Sequence, residues 1–254
     1  MQWNRRFALA TLSALIALAL VALPAVAAPW PFPEINIRTG AADSPQEVAS
    51  GLQIIFLLTI LTLAPAILIL MTSFTRIVIV LSFVRNSLAT QQMPPNQVLI
   101  GLAIFLTILI MAPVFGQANQ EALQPFLAGE IGQEEALRRA ETPFRQFMLG
   151  FTREKDLALF VNFAGVEPPS GPEDIPTYVL IPAFVISELR TAFYMGFMIF
   201  LPFIVIDMIV ASTLMSMGML MLPPMMISLP FKVVLFVLVD GWHLVAKSLI
   251  LSFQ

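Results

Sequence analysis

The sequence predicts an all-α integral membrane protein. Hydrophobic residues make up 58% of the chain and charged residues only 11%, and the mean hydropathy is +0.88. A soluble domain is nearer one half apolar and one quarter charged. Several apolar runs also reach the roughly twenty residues that a helix needs to span a bilayer.

The composition excludes several classes of function. The chain has no cysteine and a single histidine, His243, which excludes thiolate zinc sites, cysteine nucleophiles and His-rich metal sites. A formal net charge of −3 gives no basis for nucleic-acid binding. The sequence also carries no Gly-rich phosphate-binding loop and no nucleophile-elbow pattern. We therefore expect no cofactor, no metal ion and no enzymatic activity.

The N-terminal residues 1–27 are typical of a secretory signal peptide. Two arginines precede an apolar run over 7–23, and the small-residue motif Ala25-Val26-Ala27 follows it. An uncleaved first membrane helix is the alternative. Cleavage after this motif leaves residues 28–50 as a polar, Pro-rich extracytoplasmic lead-in, followed by a single membrane domain over 51–254.

The first apolar runs predict three helices. Gly51–Met71 has membrane length and contains Pro65, and a shorter run over 77–84 follows it. One straight helix over both runs would be about 50 Å long, so we predict a break near Thr72-Ser73. Pro94-Pro95 stops any helix, and Asn96 is placed to cap a third one over 97–115.

The polar segment over 116–176 is predicted to be an acidic extracytoplasmic insertion. One helix is expected where apolar residues share a face and Glu–Arg pairs are spaced four apart. Pro143 is expected to kink or divide this helix, and Thr152 to cap a second one that ends near Gly165. The pairs are Glu134/Arg138, Glu135/Arg139 and Glu141/Arg145, and the apolar face is Ala136, Leu137, Ala140, Phe144, Phe147, Met148 and Phe151.

Three further apolar helices are predicted over 179–201, 203–222 and 231–251. Pro202 marks the first junction and Pro223-Pro224 the second. In the last helix, residues spaced three and four apart form a polar stripe on one face. The stripe consists of Asp240, His243 and Lys247.

Charged residues within these apolar runs need partners, because a charge at bilayer depth costs a few kcal/mol. Glu188 and Arg190 are two residues apart on a helix and cannot pair well with each other. We interpret such charges chiefly as ion pairs that fix helix packing, within the chain or between subunits. The alternative is a proton or ion relay. The candidate partners are Arg76, Asp207, Lys232, Asp240 and Lys247.

An intramembrane aspartyl protease would use two facing carboxylates, for which Asp207 and Asp240 are the candidates. The neighbouring cations account for these acids equally well, and no flanking motif supports the protease.

A dense methionine cluster follows, with Gly218 interrupting its helical pattern and Pro223-Pro224 forcing a turn. Methionine side chains adapt their shape, and hydrophobic constrictions gate pores by excluding water. The cluster therefore forms either a pore constriction or the filling of an irregular core. Its members are Met215, Met217, Met219, Met221, Met225 and Met226.

Three long motifs cover much of the chain. FTRIVIVLSFVRNSLATQQMPPNQVLIGLAIFLT spans Phe74–Thr107, VLIPAFVISELRTAFYMGFMIFLPFIVID spans Val179–Asp207, and LPFKVVLFVLVDGW spans Leu229–Trp242. Together they resemble the signatures of the FliP family of the bacterial flagellar export apparatus, and the resemblance extends from Gly51 to Gln254.

The resemblance implies a pore-forming subunit of the flagellar type III export gate, in the bacterial inner membrane at the flagellar basal body. FliP-like proteins assemble as helical hairpins around a central pore, in about five copies, with FliQ-like and FliR-like subunits. FlhB-like and FlhA-like export components act with them, and unfolded flagellar proteins pass through. The nearest alternative is the homologous subunit of a virulence type III secretion system. The signal peptide and the acidic segment favour the flagellar branch.

The resemblance also implies a Met-rich gasket that seals the resting pore, at Met219, Leu220 and Met221. Leu220 stands where many relatives have Met, so the seal is expected to rely on the two methionines. Ala89 similarly stands where relatives often have Gly. The turn beside the gasket is formed by Gly218, Pro223 and Pro224.

Overall fold

A computed structural model describes residues 45–90, 93–165, 171, 174–219 and 221–254. Every regular element in those ranges is helical, which confirms the all-α prediction. The predicted signal peptide lies outside the described residues, as does the lead-in up to residue 44. Residues 54–254 form one compact unit. The helices are α1 (Pro45–Leu70), α2 (Phe74–Ser87), α3 (Asn96–Ala118), a π-helical turn (Asn119–Leu123), α4 (Gln124–Leu127), α5 (Gln133–Phe151), α6 (Glu154–Ala164), α7 (Thr177–Ser216), α8 (Pro224–Leu238) and α9 (Gly241–Leu251).

The predicted break between the first two helices is confirmed. Helix α1 ends at Leu70 and α2 begins at Phe74, with Thr72 and Ser73 in the connection. The buried residues of α2 recur at helical spacing and pack mainly against α7 and α3. They form the larger hydrophobic core with residues from α3, α7, α8 and α9.

Helix α3 is longer than predicted, and its cap is a different residue. The N-cap is Pro95, while Asn96 is already helical and its side-chain oxygen accepts a hydrogen bond from Arg85. After Ala118 the chain continues through the π-helical turn into α4, so the polar segment begins as an extension of the same rod.

The polar segment folds largely as predicted. Helix α5 runs through Pro143 without dividing, and α6 ends at Ala164 with Gly165 in the left-handed conformation. The N-cap of α6 is Arg153, because the Thr152 hydroxyl donates back to the Met148 carbonyl instead. A second core joins α5 and α6 to the start of α7 around Met148, Leu180 and Phe184.

The predicted break at Pro202 is wrong. Helix α7 is continuous over 40 residues and contains both Pro182 and Pro202. A proline removes one backbone hydrogen bond, and a helix in apolar surroundings tolerates that loss when local adjustments satisfy the freed carbonyl. At 1.5 Å per residue, α7 is about 60 Å long, twice the thickness of a bilayer core.

The predicted helix over 231–251 is also wrong in its bounds. Helix α8 already begins at Pro224 and runs through Pro230, and the chain then bends by 62° into α9. Asp240 occupies the bend in a left-handed conformation (φ 51°), so Asp240, His243 and Lys247 do not form one helical stripe. A Cβ on Gly241 would collide with the Phe236 ring, so the bend is tightly packed.

Length and apolar composition make two described helices able to cross a membrane. They are the rod over Asn96–Leu127 and helix α7 (Thr177–Ser216). The bent pair α8–α9 adds a third if the two together form one span. Simple hydropathy, in contrast, suggests five spans in the mature chain.

The first testable prediction concerns Ala89, which has φ 56° in the α2–α3 connection. A left-handed L-residue costs roughly 1–2 kcal/mol, and glycine removes that strain at some cost in unfolded-chain entropy. We expect Ala89→Gly to raise the free energy of unfolding by about 0.5–1 kcal/mol, measured by denaturation in detergent.

The matched control is Ala211→Gly within α7, where glycine should lower stability by about 1 kcal/mol. Equal destabilisation by both changes would contradict the strain at Ala89.

Candidate functional site

A buried ion pair joins Arg76 of α2 to Glu188 of α7. Arg76 Nε donates to Glu188 Oε2 at 2.8 Å, and Nη2 donates to Oε1. Glu188 is 0% exposed and Arg76 is 3% exposed. The sequence predicted that both charges need partners, and the structure brings them together.

Arg76 also binds residues near the end of α9 that the sequence did not predict. Its Nη1 donates to the Ser252 carbonyl at 2.8 Å and to the Ser252 hydroxyl at 3.0 Å. The Phe253 ring lies 3.8 Å from the guanidinium carbon, in cation–π contact. No motif in the sequence indicated these contacts. Four of the five guanidinium N–H groups are therefore satisfied, which is what a buried arginine requires.

A second ion pair ties α8 to the C-terminal half of α7. Lys232 Nζ lies 2.6 Å from Asp207 Oδ2, and the Ser228 hydroxyl donates to Asp207 Oδ1 at 2.5 Å. The Lys232 side chain is 2% exposed, whereas Asp207 is partly accessible. Both carboxylate oxygens of Asp207 are thus engaged, an arrangement typical of an ion pair and not of a protease acid pair.

Two of the predicted pairing residues are not brought to a partner. Arg190 is exposed on α7 and forms no ion pair with any described residue. Asp240 is exposed at the α8–α9 bend and likewise has no side-chain partner within the described ranges. Because the predicted partners include those of a neighbouring subunit, the pairing of these two residues stays a prediction.

A third polar network, also absent from the sequence-based predictions, joins α6 to α7 beside Glu188. The Ser187 hydroxyl donates to Asp156 Oδ2 at 2.6 Å and accepts from the Arg153 backbone N–H at 3.1 Å. The Arg153 guanidinium binds both oxygens of Asp156. Burial tends to raise the pKa of Asp156, but the hydrogen bonds from Ser187 and Arg153 outweigh it and lower the pKa below the usual 3.8.

The ion pairs on the surface of the polar segment match the predicted spacing in part. Arg139 and Arg145 pair with Glu135 and Glu141 as predicted, at 2.6 Å and 3.9 Å. Arg138 pairs with Glu135 instead of Glu134. Hydrogen bonds from Arg139 and Arg138 lower the pKa of Glu135 below its usual 4.5.

The methionine cluster lies at the tip of the hairpin formed by α7 and α8. Met221 is 98% exposed and Met219 is 44% exposed. Gly218 has φ 74°, and Pro223 is the N-cap of α8 with Pro224 as its first residue. Leu220 lies outside the described residues. These methionines do not fill a core of this chain, so the second interpretation of the cluster is not supported.

The described ranges contain no group of three or more His, Asp or Glu side chains placed to hold a metal ion.

Comparison with known proteins places the whole membrane region in one family. A sequence profile of the FliP family matches residues 57–249. A flagellar biosynthetic protein FliP of Bacillus subtilis is 62% identical over 217 residues, which is 85% of this chain and 98% of the relative. The Caulobacter vibrioides protein of the same name is 49% identical over 96% of this chain and 91% of its own length. The Aquifex aeolicus protein of the same name is 46% identical over 87% of this chain and 92% of its own length.

The second testable prediction addresses the Arg76–Glu188 pair. Removing one member of a buried pair leaves an uncompensated charge, which typically costs 3–5 kcal/mol, roughly the range we expect for Glu188→Gln and Arg76→Met. The double variant Arg76→Met with Glu188→Leu should recover much of this loss. Chemical denaturation in detergent measures the free energy of unfolding of all three variants.

Glu135→Gln is the matched control, since it removes a carboxylate that pairs with Arg138 and Arg139 at the surface and should shift the unfolding midpoint only slightly. A Glu188→Gln midpoint as unaffected as that of the control would refute a stabilising role for the buried pair.

The third prediction concerns acid opening of α6. Because the folded-state pKa of Asp156 is below its ordinary value, its stabilising contribution is present above about pH 3.9 and is lost as pH falls through the folded pKa. We expect pepsin cleavage within α6, around Leu157–Phe160, to rise steeply below about pH 3.9.

Asp156→Asn should open α6 at every pH and remove the steep rise. A steep rise that survives in this variant would assign the acid opening to another group.

Proposed function

The chain belongs to the FliP family of flagellar biosynthetic proteins, and we propose that it is a pore-forming subunit of the flagellar type III protein export gate. In this role it passes unfolded flagellar subunits across the bacterial inner membrane, within the flagellar basal body. The observation that carries the proposal is the apolar methionine loop. It is exposed at the tip of a hairpin whose arms are joined by the Asp207–Lys232 ion pair.

The exposed apolar surface of the single chain supports a multi-copy assembly. Large apolar side chains face outward along α1, α3, α7 and α8, far beyond the isolated exposed residues that soluble monomers carry. Lipid covers part of this surface, and neighbouring protein covers the rest. We propose about five copies in a closed ring, together with FliQ-like and FliR-like subunits. FlhB-like and FlhA-like components act with the ring.

The proposed gasket excludes water when it is closed, and its side chains move aside when a chain passes. In a ring, the loops of neighbouring copies bring Met219 and Met221 to the pore axis, where their thioether side chains close a gap without leaving polar groups in it. A hydrophobic constriction of this kind stops water and ions. Because methionine is unbranched, its side chains can rotate aside for an unfolded chain and then reclose.

The charged residues serve positioning in this proposal, not transport. Glu188 has no exposed surface, and Arg76 binds both of its oxygens. A proton relay needs a group that can exchange with water, so this burial speaks against the ion-carrier alternative. Asp207 and Lys232 hold α8 against α7 and thereby fix where the loop between them lies.

The flagellar branch is favoured over a virulence secretion system because the similar proteins are named flagellar biosynthetic proteins. We further propose that residues 1–27 are a cleaved signal peptide, that residues 28–50 are an extracytoplasmic lead-in to the membrane domain over 51–254, and that the acidic segment over 116–176 is extracytoplasmic.

The fourth testable prediction concerns the seal. Met219→Ala with Met221→Ala shortens both side chains, so the closed pore should pass small ions and solutes while the complex still assembles. The readout is dye or ion efflux from vesicles that contain the purified complex. The matched control is Met93→Ala, an exposed methionine outside the cluster, which should leave the vesicles tight.

Native mass spectrometry of the complex in mild detergent, with N-terminal sequencing, gives the assembly state of each variant. The proposal expects a multi-copy complex with FliQ-like and FliR-like chains, starting at Ala28. An assembled double variant that is as impermeable as the parent would exclude the gasket, and a stable monomer would exclude the export gate.

A further inference from the structure

Arg190 is a cation whose partner the single chain does not supply within its described residues. It is exposed on the apolar helix α7, and Phe193 and Tyr194, which follow it by one helical turn, are 56% and 63% exposed. The other charges on α7 are satisfied: Glu188 by Arg76, and Asp207 by Lys232 and Ser228. A charge on an apolar helix that lacks a partner in its own chain is expected to find one in a neighbouring molecule.

The contacts between helices show which carboxylates lie at the level of Arg190 along α7. Arg145 of α5 binds the Ile175 carbonyl and Thr177, at the start of α7. Further along, the Arg153 N–H binds the Ser187 hydroxyl. Helix α5 therefore runs in the same direction as α7, and the first turn of α6 lies beside Ser187. Arg190 follows Ser187 by about 4.5 Å at 1.5 Å per residue.

Some carboxylates form no ion pair and no side-chain hydrogen bond within the described part of the chain. They lie at different positions along the axis of α7. Arg145 of α5 and Thr177 of α7 touch each other and serve as a common reference point. Glu134 lies about 16 Å before this point on α5, and Arg190 lies about 20 Å beyond it on α7. The two residues are therefore far apart along the helix axes. Asp240 follows Phe236, whose ring packs against Phe203, about 20 Å further along α7 than Arg190. Glu130 is only four residues from Glu134, so it too lies far from Arg190. The members of the set whose side chains the structure describes are Glu130, Glu134, Glu154 and Asp240.

We propose that Arg190 of one copy forms an ion pair with Glu154 of the neighbouring copy. This proposal rests on the multi-copy assembly proposed above. We take the pore axis to run along α7, so that copies related by rotation about it lie at one level. Glu154, in the first turn of α6, is the exposed carboxylate of that set at the level of Arg190. Within one chain the two residues form no ion pair.

The contact is head-to-tail, which is the type of interface that closes a ring. Arg190 of one copy receives Glu154 of the next, so each copy contributes a different residue to each of its two contacts. The exposed rings of Phe193 and Tyr194 flank the cation and supply the apolar cover that an interfacial ion pair needs to exclude water.

Cysteine crosslinking tests the pair directly, because the chain has no cysteine of its own. An Arg–Glu pair holds its Cα atoms further apart than the roughly 7 Å that a disulfide tolerates, so a short bismaleimide is the probe. The double variant Glu154→Cys with Arg190→Cys should give a ladder of crosslinked multimers in membranes. A chain carrying only Glu154→Cys, co-expressed with one carrying only Arg190→Cys, should give dimers.

The control is Glu134→Cys with Arg190→Cys, which pairs Arg190 with an exposed acid at a distant level and should give no ladder. An assembled complex that yields no ladder with the first pair, or only a crosslink within one chain, would overturn the pairing. If the unaltered chain forms no multi-copy complex by native mass spectrometry, the export-gate proposal itself fails, and this one with it.

Charge exchange distinguishes the ion pair from a lipid contact. Glu154→Arg and Arg190→Glu should each abolish swarming, and the two together in one chain should restore it. An anionic lipid phosphate bound to Arg190 predicts instead that Arg190→Glu is defective whatever residue stands at position 154. That outcome would overturn the proposal.

Discussion

The buried pair of Arg76 and Glu188 is the constraint on which the arrangement of helices depends. Neither charge is tolerable alone in the apolar core, and each is satisfied only when α2 and α7 hold one relative position. Arg76 adds the Ser252 contacts, so the segment after α9 is fixed to the same point. Beside it, Ser187 links α7 to Asp156 and the start of α6. One short stretch of α7 therefore sets the positions of elements from both ends of the membrane domain.

The length of α7 explains why such a frame is needed. At about 60 Å it is twice as long as a bilayer core is thick, so lipid alone cannot cover it. Its N-terminal part packs against α5 and α6 in the second core, and its middle packs in the larger core. Its C-terminal part lies beside α8 and leaves apolar residues exposed. A single copy thus leaves much of the apolar surface of α7 uncovered. This is the surface expected of a subunit that finishes its burial against other chains.

The sequence predicted the chemistry of this frame better than its helix bounds. The charge requirement identified Arg76, Glu188, Asp207 and Lys232, because an unpaired charge in an apolar run is costly wherever the helices end. The predicted helix ends were wrong where local sequence signals competed with helix packing. Pro202 did not end α7, since an apolar helix can absorb one missing hydrogen bond. The α8–α9 bend, by contrast, contains no proline. It lies at Asp240-Gly241, a dipeptide that favours turns but stands within an apolar run. The Ser252 and Phe253 contacts are long-range and carry no local signal.

The proposed seal must deform where it touches an exported chain and stay rigid where the helices hold it. The two requirements fall on different residues here. Asp207 and Lys232 join α7 to α8 roughly two to three helical turns, about 12–14 Å, from the loop, so the arms of the hairpin cannot splay without separating the two charges. The loop itself is bounded by Gly218 and Pro223 and carries methionines, whose unbranched side chains change rotamer readily. In the proposed gasket, deformation is therefore confined to side chains at the tip, and the seal recloses without movement of the helices.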